Sequence, residues 1–124
     1  MALIHVKQVI STANSFVTLY TVPTGKEFVL LNKRACSWSI AYEATATITL
    51  ANGSTTFDTL SVENTFYSPL GLSDEVVNGS NYTKTVFTAG QNIRGKSSIA
   101  GTAIEIVGLE LDAGTWATVN QSNS

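Results

Sequence analysis

An all-β fold, an antiparallel β-sandwich of jelly-roll or Greek-key type with about eight or nine short strands, is predicted by three observations. Apolar and polar residues alternate with a period of two in several stretches, turn signals recur at short intervals, and no stretch shows the 3.6-residue period of an amphipathic helix. Long irregular connections between some strands favour crossed topologies over a simple meander. At 124 residues the chain fits one domain, residues 1–124, with an N-terminal arm at about 1–6 and a C-terminal tail at about 113–124.

In the first strand Ile4, Val6, Gln8 and Ile10 alternate with His5, Lys7 and Val9, so one face is mostly apolar. Two β-rich runs, FVTLYTV (16–22) and EFVLLN (27–32), flank Pro23-Thr24-Gly25 and read as a hairpin. Val22, Pro23 and Gly25 suit the first, second and fourth positions of a type I turn, with Gly25 left-handed. Both runs carry apolar bulk on both faces, as expected of strands covered by a second sheet or a neighbouring subunit. Lys33-Arg34 reads as a strand end or an edge, and residues 37–42 as a short strand placing Trp38, Ile40 and Tyr42 on one face. Ala44, Ala46, Ile48 and Leu50 then alternate with Thr45, Thr47 and Thr49, a strand with one threonine-lined face in water or at an interface.

Asn52-Gly53 is a hairpin turn signal with residues 55–60 as its return strand. Residues 63–75, with Pro69 and Gly71, read as a loop. Val76-Val77 and residues 78–81 read as a further turn leading into a strand at 82–88, Asn92 to Lys96 as a weak polar strand or loop, and residues 102–111 as the last strong strand. The tail is polar except for Trp116, and a tryptophan in such a setting is expected to dock.

Composition narrows the function. Charged residues make up 13% of the chain, about half the usual share, and Ser, Thr, Asn and Gly supply the missing polarity. Such a neutral, hydrogen-bonding surface loses little when pressed against another protein. A net charge of −2 with seven scattered cations excludes the electrostatic footprint of a nucleic-acid binder. No apolar run reaches the length of a membrane helix. The first residues lack the basic and apolar regions of a secretory signal, so a soluble product made in the cytoplasm is expected. The single cysteine, Cys36, excludes an intrachain disulfide framework; it reads as a small half-buried strand residue, the alternatives being a reactive thiol or an intermolecular bridge.

No catalytic, metal or cofactor signature emerges. His5 is the only histidine and reads as a strand residue at a sheet edge rather than a triad member. Asp58, Asp74-Glu75 and Asp112 are dispersed carboxylates without a calcium-loop pattern. Gly90, Gly95 and Gly101 are spaced as turn residues, not as a phosphate loop. Trp38, Tyr42, Phe66, Tyr67, Tyr82 and Trp116 could stack on sugar rings, but they read better as core or interface residues.

The run from Leu19 to Lys26, LYTVPTGK, together with Ala89-Gly90-Gln91-Asn92-Ile93 and the run from Gly101 to Glu110, resembles small β-sandwich virion proteins of tailed bacteriophages. In these an LYTVPxGK hairpin near the N-terminus is followed late by an aGqxI…aGtaieivGlEl segment, whereas residues 33–88 match nothing. The resemblance implies a non-enzymatic structural virion protein, needing no cofactor, that decorates the capsid surface as a cement protein. Its implied partner is the major capsid protein, and it would self-associate, as a trimer before a dimer. It also admits a tail, collar or head-fibre component; the rival of a different class is a carbohydrate-binding sandwich. The termini are the expected partner contacts, through Leu3, Ile4 and Val6 of the arm and Trp116 of the tail, because loosely packed apolar termini act as strand donors or clamps.

Overall fold

The computed structural model describes residues 1–37, 40, 44–63, 76–78 and 85–116. Among these, nine strands follow one another: β1 (Ala2–Ile10), β2 (Val17–Thr21), β3 (Lys26–Ser37), β4 (Thr45–Asn52), β5 (Thr55–Glu63), β6 (Val76–Asn78), β7 (Thr85–Thr88), β8 (Asn92–Ser97) and β9 (Thr102–Asp112). All pairings are antiparallel and fall into two sheets. Sheet I has the order β1-β9-β3, with β6 and β7 dividing the far edge of β3 between them; sheet II has the order β2-β8-β4-β5. The chain crosses between sheets after β1, β2 and β3, returns within sheet II through the β4–β5 hairpin, and crosses again after β5, β7 and β8. That alternation is the jelly roll, in which consecutive strands seldom pair and distant ones do.

The Pro23–Gly25 segment departs from the expected hairpin. β2 pairs with β8 and β3 with β9, so the segment is a corner that carries the chain from sheet II to sheet I. The turn also sits one residue later than expected: the Lys26 N–H donates to the Pro23 carbonyl at 3.2 Å, with Gly25 at the third position and φ +77°, as a type II turn requires. The physical reason lies in Val22. Its N–H donates to the Gln91 carbonyl at 3.0 Å and its carbonyl accepts from the Gly90 N–H at 2.9 Å, so the turn before β8, rather than β3, takes up the end of β2.

Two further expectations change. Residues 2–6 are not a loose arm but the first half of β1, registered on β9 from Ala2↔Glu110 to Ile10↔Thr102 without interruption. Asn92 to Lys96, expected to be weak, lies in β8 at the centre of sheet II, where Ile93, Gly95 and Ser97 are buried in alternation. The Asn52-Gly53 hairpin forms as expected, with Asn52 opposite Thr55 and Gly53 at φ +61° in the first loop position. Trp38, Tyr42 and the 64–75 loop lie outside the described residues.

The core between the sheets holds Ile10, Phe28, Leu30, Ile48, Leu50, Val62, Phe87, Ile93, Ile104 and Ile106. Each such side chain contributes about 1.5–3 kcal/mol by leaving water. Phe28 and Phe87 of sheet I pack with ring centroids 6.4 Å apart, and Phe57 of β5 meets Phe87 edge-on at 5.4 Å, so aromatic contact joins the sheets. One ion pair joins them as well. Lys33 Nζ of β3 lies 3.4 Å from Asp58 Oδ2 of β5, with both side chains buried. Tyr20 of β2 stacks on Phe28 at 4.6 Å and donates its hydroxyl to the Glu110 carboxylate of β9; burial first, then that carboxylate, push the phenol above its usual range.

Candidate partner-contact surface

Every second residue of a strand faces away from the core, so the two sheets present two outer faces. On sheet I, Leu3, Leu109, Val29 and Val86 stand opposite one another across β1, β9, β3 and β7, an apolar row in which Leu3 is exposed, Leu109 and Val86 are half-buried and Val29 is buried. Leu31 joins this face at the β-bulge between Leu30 and Asn32. Leu3 is 67% exposed, Val9 42% and Leu31 41%; with Met1 these are all the exposed large hydrophobic residues among those described, and all belong to sheet I.

Beside the apolar row runs a charged one. Lys7, Glu105 and Arg34 are opposite in register on β1, β9 and β3. Glu105 Oε2 lies 2.7 Å from His5 Nε2, and Glu105 Oε1 accepts from the Arg34 guanidinium Nε–H. The Arg34 hydrogen bond, followed by that of His5, holds the Glu105 carboxyl below its ordinary value. Lys7, Arg34, Cys36, Ala103 and Glu105 line a depression of about 120 Å³. That is too small for the roughly 300–1,000 Å³ of a typical small-molecule site. Among the described residues no cluster of three or more His, Cys, Asp or Glu side chains is placed to hold a metal ion.

At the opposite corner of this face the chain leaving β9 folds back. The Ala113 N–H donates to the Gly25 carbonyl at 3.0 Å, Lys26 Nζ lies 2.8 Å from Asp112 Oδ1, and the Trp116 backbone N–H donates to Glu27 Oε1 at 2.5 Å. The backbone at Trp116 is thus tied to the start of β3, and Trp116 is half-buried.

Sheet II is different. Its outer face carries Thr45, Thr47 and Thr49 of β4 opposite Glu63, Ser61 and Thr59 of β5. On β8, Arg94 and Lys96 lie over the Phe16 ring at 4.6 and 4.7 Å, which covers the aromatic edge with cations.

Of the residues singled out from the sequence, Leu3 lies on the outer face of sheet I and Trp116 lies at that sheet's corner. Ile4 and Val6 point the other way and pack, partly buried, against the core. Leu31, Val9 and Leu109 were missed. The available signal was the second apolar set of β9, Val107 and Leu109, which alternates with the core set and so had to face something else.

The described residues thus form a jelly roll with one partly apolar, ion-paired outer face and one outer face rich in hydroxyl groups. Among solved structures, a chain of the acidic stable capsid structure of Helicobacter pylori bacteriophage KHP30 is similar, with a TM-score of 0.56 and 10% identity over 90% of this chain and 94% of that one. A pentameric capsid protein isolated from metagenomic phage sequences also matches, at a TM-score of 0.37 and 21% identity, over 89% of this chain and 67% of that one. The first likeness shows a shared fold. No protein-family model matches the sequence, and no curated protein does.

Proposed function

We propose that this chain is a non-enzymatic structural protein of a bacteriophage virion, a capsid decoration or cement protein that lays the outer face of sheet I on the major capsid protein. One observation carries the reading: on a fold shared with a phage capsid chain, all exposed apolar bulk among the described residues lies on one sheet. Exposed apolar residues gathered on one face mark an interaction surface. The threonine-rich face of sheet II, with Glu63, Arg94 and Lys96 on it, then points to solvent. In mechanism the protein contributes buried area and backbone pairing across subunits rather than chemistry. Self-association belongs to this reading, with a trimer or a dimer as the unit, and Trp116 would close the corner of the contact face.

The test is binding of the purified protein to shells assembled from the major capsid protein of the same genome. Leu31→Lys should weaken co-sedimentation with shells at least tenfold, while Thr47→Lys on sheet II should leave it unchanged. Equal binding by both variants would remove the sheet I assignment. Co-sedimentation with tails and not with heads would move the protein to a tail or head-fibre role, and a signal on a glycan array would favour the carbohydrate-binding alternative.

A further inference from the structure

An edge strand exposes a row of N–H and C=O groups without a ladder partner, and soluble proteins blunt such edges by shortness, bulges or charge. The edges of sheet II are blunted. β2 has five residues and a bulge between Thr18 and Tyr20, and β5 carries a register irregularity opposite Leu50 and Ala51, with Thr59, Ser61 and Glu63 turned outward. The far side of β3 holds only the short β6 and β7. β1 is neither short nor bulged, and its one charged side chain apart from His5 is Lys7, which stands opposite Glu105 of its own sheet. It runs nine residues, pairs with β9 at nine consecutive positions without a shift, contains no proline, and exposes Leu3 and Val9.

The strand is also complementary to itself. Residues 2–10 are centred on Val6, and a two-fold axis through Val6 along the sheet normal keeps each outer face outer. It brings all nine residues into antiparallel register with a second copy. Leu3 then faces the partner's Val9, and Val9 the partner's Leu3, so two exposed apolar residues cover each other. His5 faces the partner's Lys7, each with Glu105 of its own chain beside it. Moving the axis to His5 sets Leu3 against a lysine, and moving it to Lys7 sets lysine against lysine. Only the central register is both full-length and apolar-matched.

We propose that β1 is a self-pairing edge, through which two copies of this chain join into one sheet of order β3-β9-β1-β1-β9-β3. This assigns a two-fold dimer rather than a trimer as the elementary unit. It is independent of the virion reading and is tested without shells.

The experiment combines light scattering with disulfide trapping on the full chain. The wild-type protein and a Cys36→Ser variant should both have twice the 13.2 kDa chain mass. In the Cys36→Ser background, Leu3→Cys with Val9→Cys should close into a covalent dimer under mild oxidant and reopen with thiol. Facing Cβ atoms lie about 4.5–5.5 Å apart, near disulfide reach. Leu3→Cys alone should not cross-link, since the two position-3 thiols would be six residues apart along the pair, about 20 Å. Leu3→Lys with Val9→Lys should be a folded monomer, whose melting temperature, unlike that of the wild type, does not rise with protein concentration. A monomeric or trimeric wild type, equal cross-linking by the single and double cysteine variants, or a dimer that survives the double lysine change would overturn the proposal.

Discussion

Sheet I and sheet II send the same chemistry inward, isoleucine, leucine and phenylalanine, but turn different chemistry outward. Sheet II shows Thr45, Thr47, Thr49, Thr59 and Ser61, side chains that water satisfies. Sheet I shows Leu3, Leu31 and Val9 around the His5–Glu105–Arg34 cluster, side chains that water satisfies poorly or that satisfy one another. The difference shows that the two outer faces are not equivalent. A core demands apolar residues on one face of each strand only. On the second apolar face of β1, β3 and β9, Val29 and Leu111 are buried within the chain, while Leu3, Val9 and Leu31 stay exposed as they would at an interaction surface.

The strongest way to break the comparison is to cut what the two sheets share. Lys33→Met should cost about 3–5 kcal/mol, because it leaves the buried Asp58 carboxylate facing a thioether across the sandwich. The double change Lys33→Met with Asp58→Leu should recover most of that loss. Urea unfolding checks both, and a single-variant loss under about 1 kcal/mol would show that the pair is not an essential tie.

The next effect separates the sheets by how tightly each packs. A Cβ on Gly108 of β9 would stand 2.5 Å from the Val29 carbonyl oxygen and closer still to the Phe28 ring, whereas a Cβ on Gly95 of β8 would meet the movable end of Ile104 at 2.7 Å. Gly108→Ala should therefore destabilise by about 3 kcal/mol, at the upper end for overpacking, and Gly95→Ala by about 1 kcal/mol. Equal thermal shifts for the two would contradict the idea that backbone, not side chain, sets the limit at Gly108.

Acidification sharpens the charged part of the comparison. The folded-state value of Glu105 lies below 4.5, chiefly through the Arg34 hydrogen bond, so the stability from that pair is present above 4.5 and is lost as pH falls through the lowered value. Arg34 and His5 are about half-exposed, which keeps the contribution to at most about 1 kcal/mol. Glu105→Gln should be less stable than wild type at pH 7, and the gap should narrow as pH falls below 4.5 in parallel denaturant titrations. A gap that widened on acidification would reverse the sign. The smallest effect belongs to sheet II: Thr47→Val should change stability by no more than about 0.5 kcal/mol in the same assay.

Much of the fold was legible in the residue pattern. The period-two alternation over Thr45–Asn52 gave both the strand and its outward threonines, and the Asn52-Gly53 signal gave the hairpin. The two apolar faces of β9 were also visible, although which one met the core was not. The corner at Pro23 was misread because a turn of proline and glycine has the same local chemistry whether it joins paired strands or strands of opposite sheets. β8 was underrated because its inward positions are Ile93, Gly95 and Ser97, and small residues beneath Ile104 do not register as hydrophobic pattern. The Glu105 cluster could not be foreseen, since His5 and Arg34 reach it from 100 and 71 positions away along the chain.

Backbone preference and side-chain period act over a few residues, so they mark most of the segments that extend, the apolar faces these carry, and roughly where the chain turns. They say nothing about partners. Which strands lie side by side is settled by long-range competition for backbone hydrogen bonds and for space in one core. Val22 shows it best: Gly90 and Gln91 occupy its N–H and carbonyl, and that choice sends β2 to one sheet and β3 to the other. The apolar row of sheet I exists only because that sorting set Leu3, Leu109 and Val29 side by side.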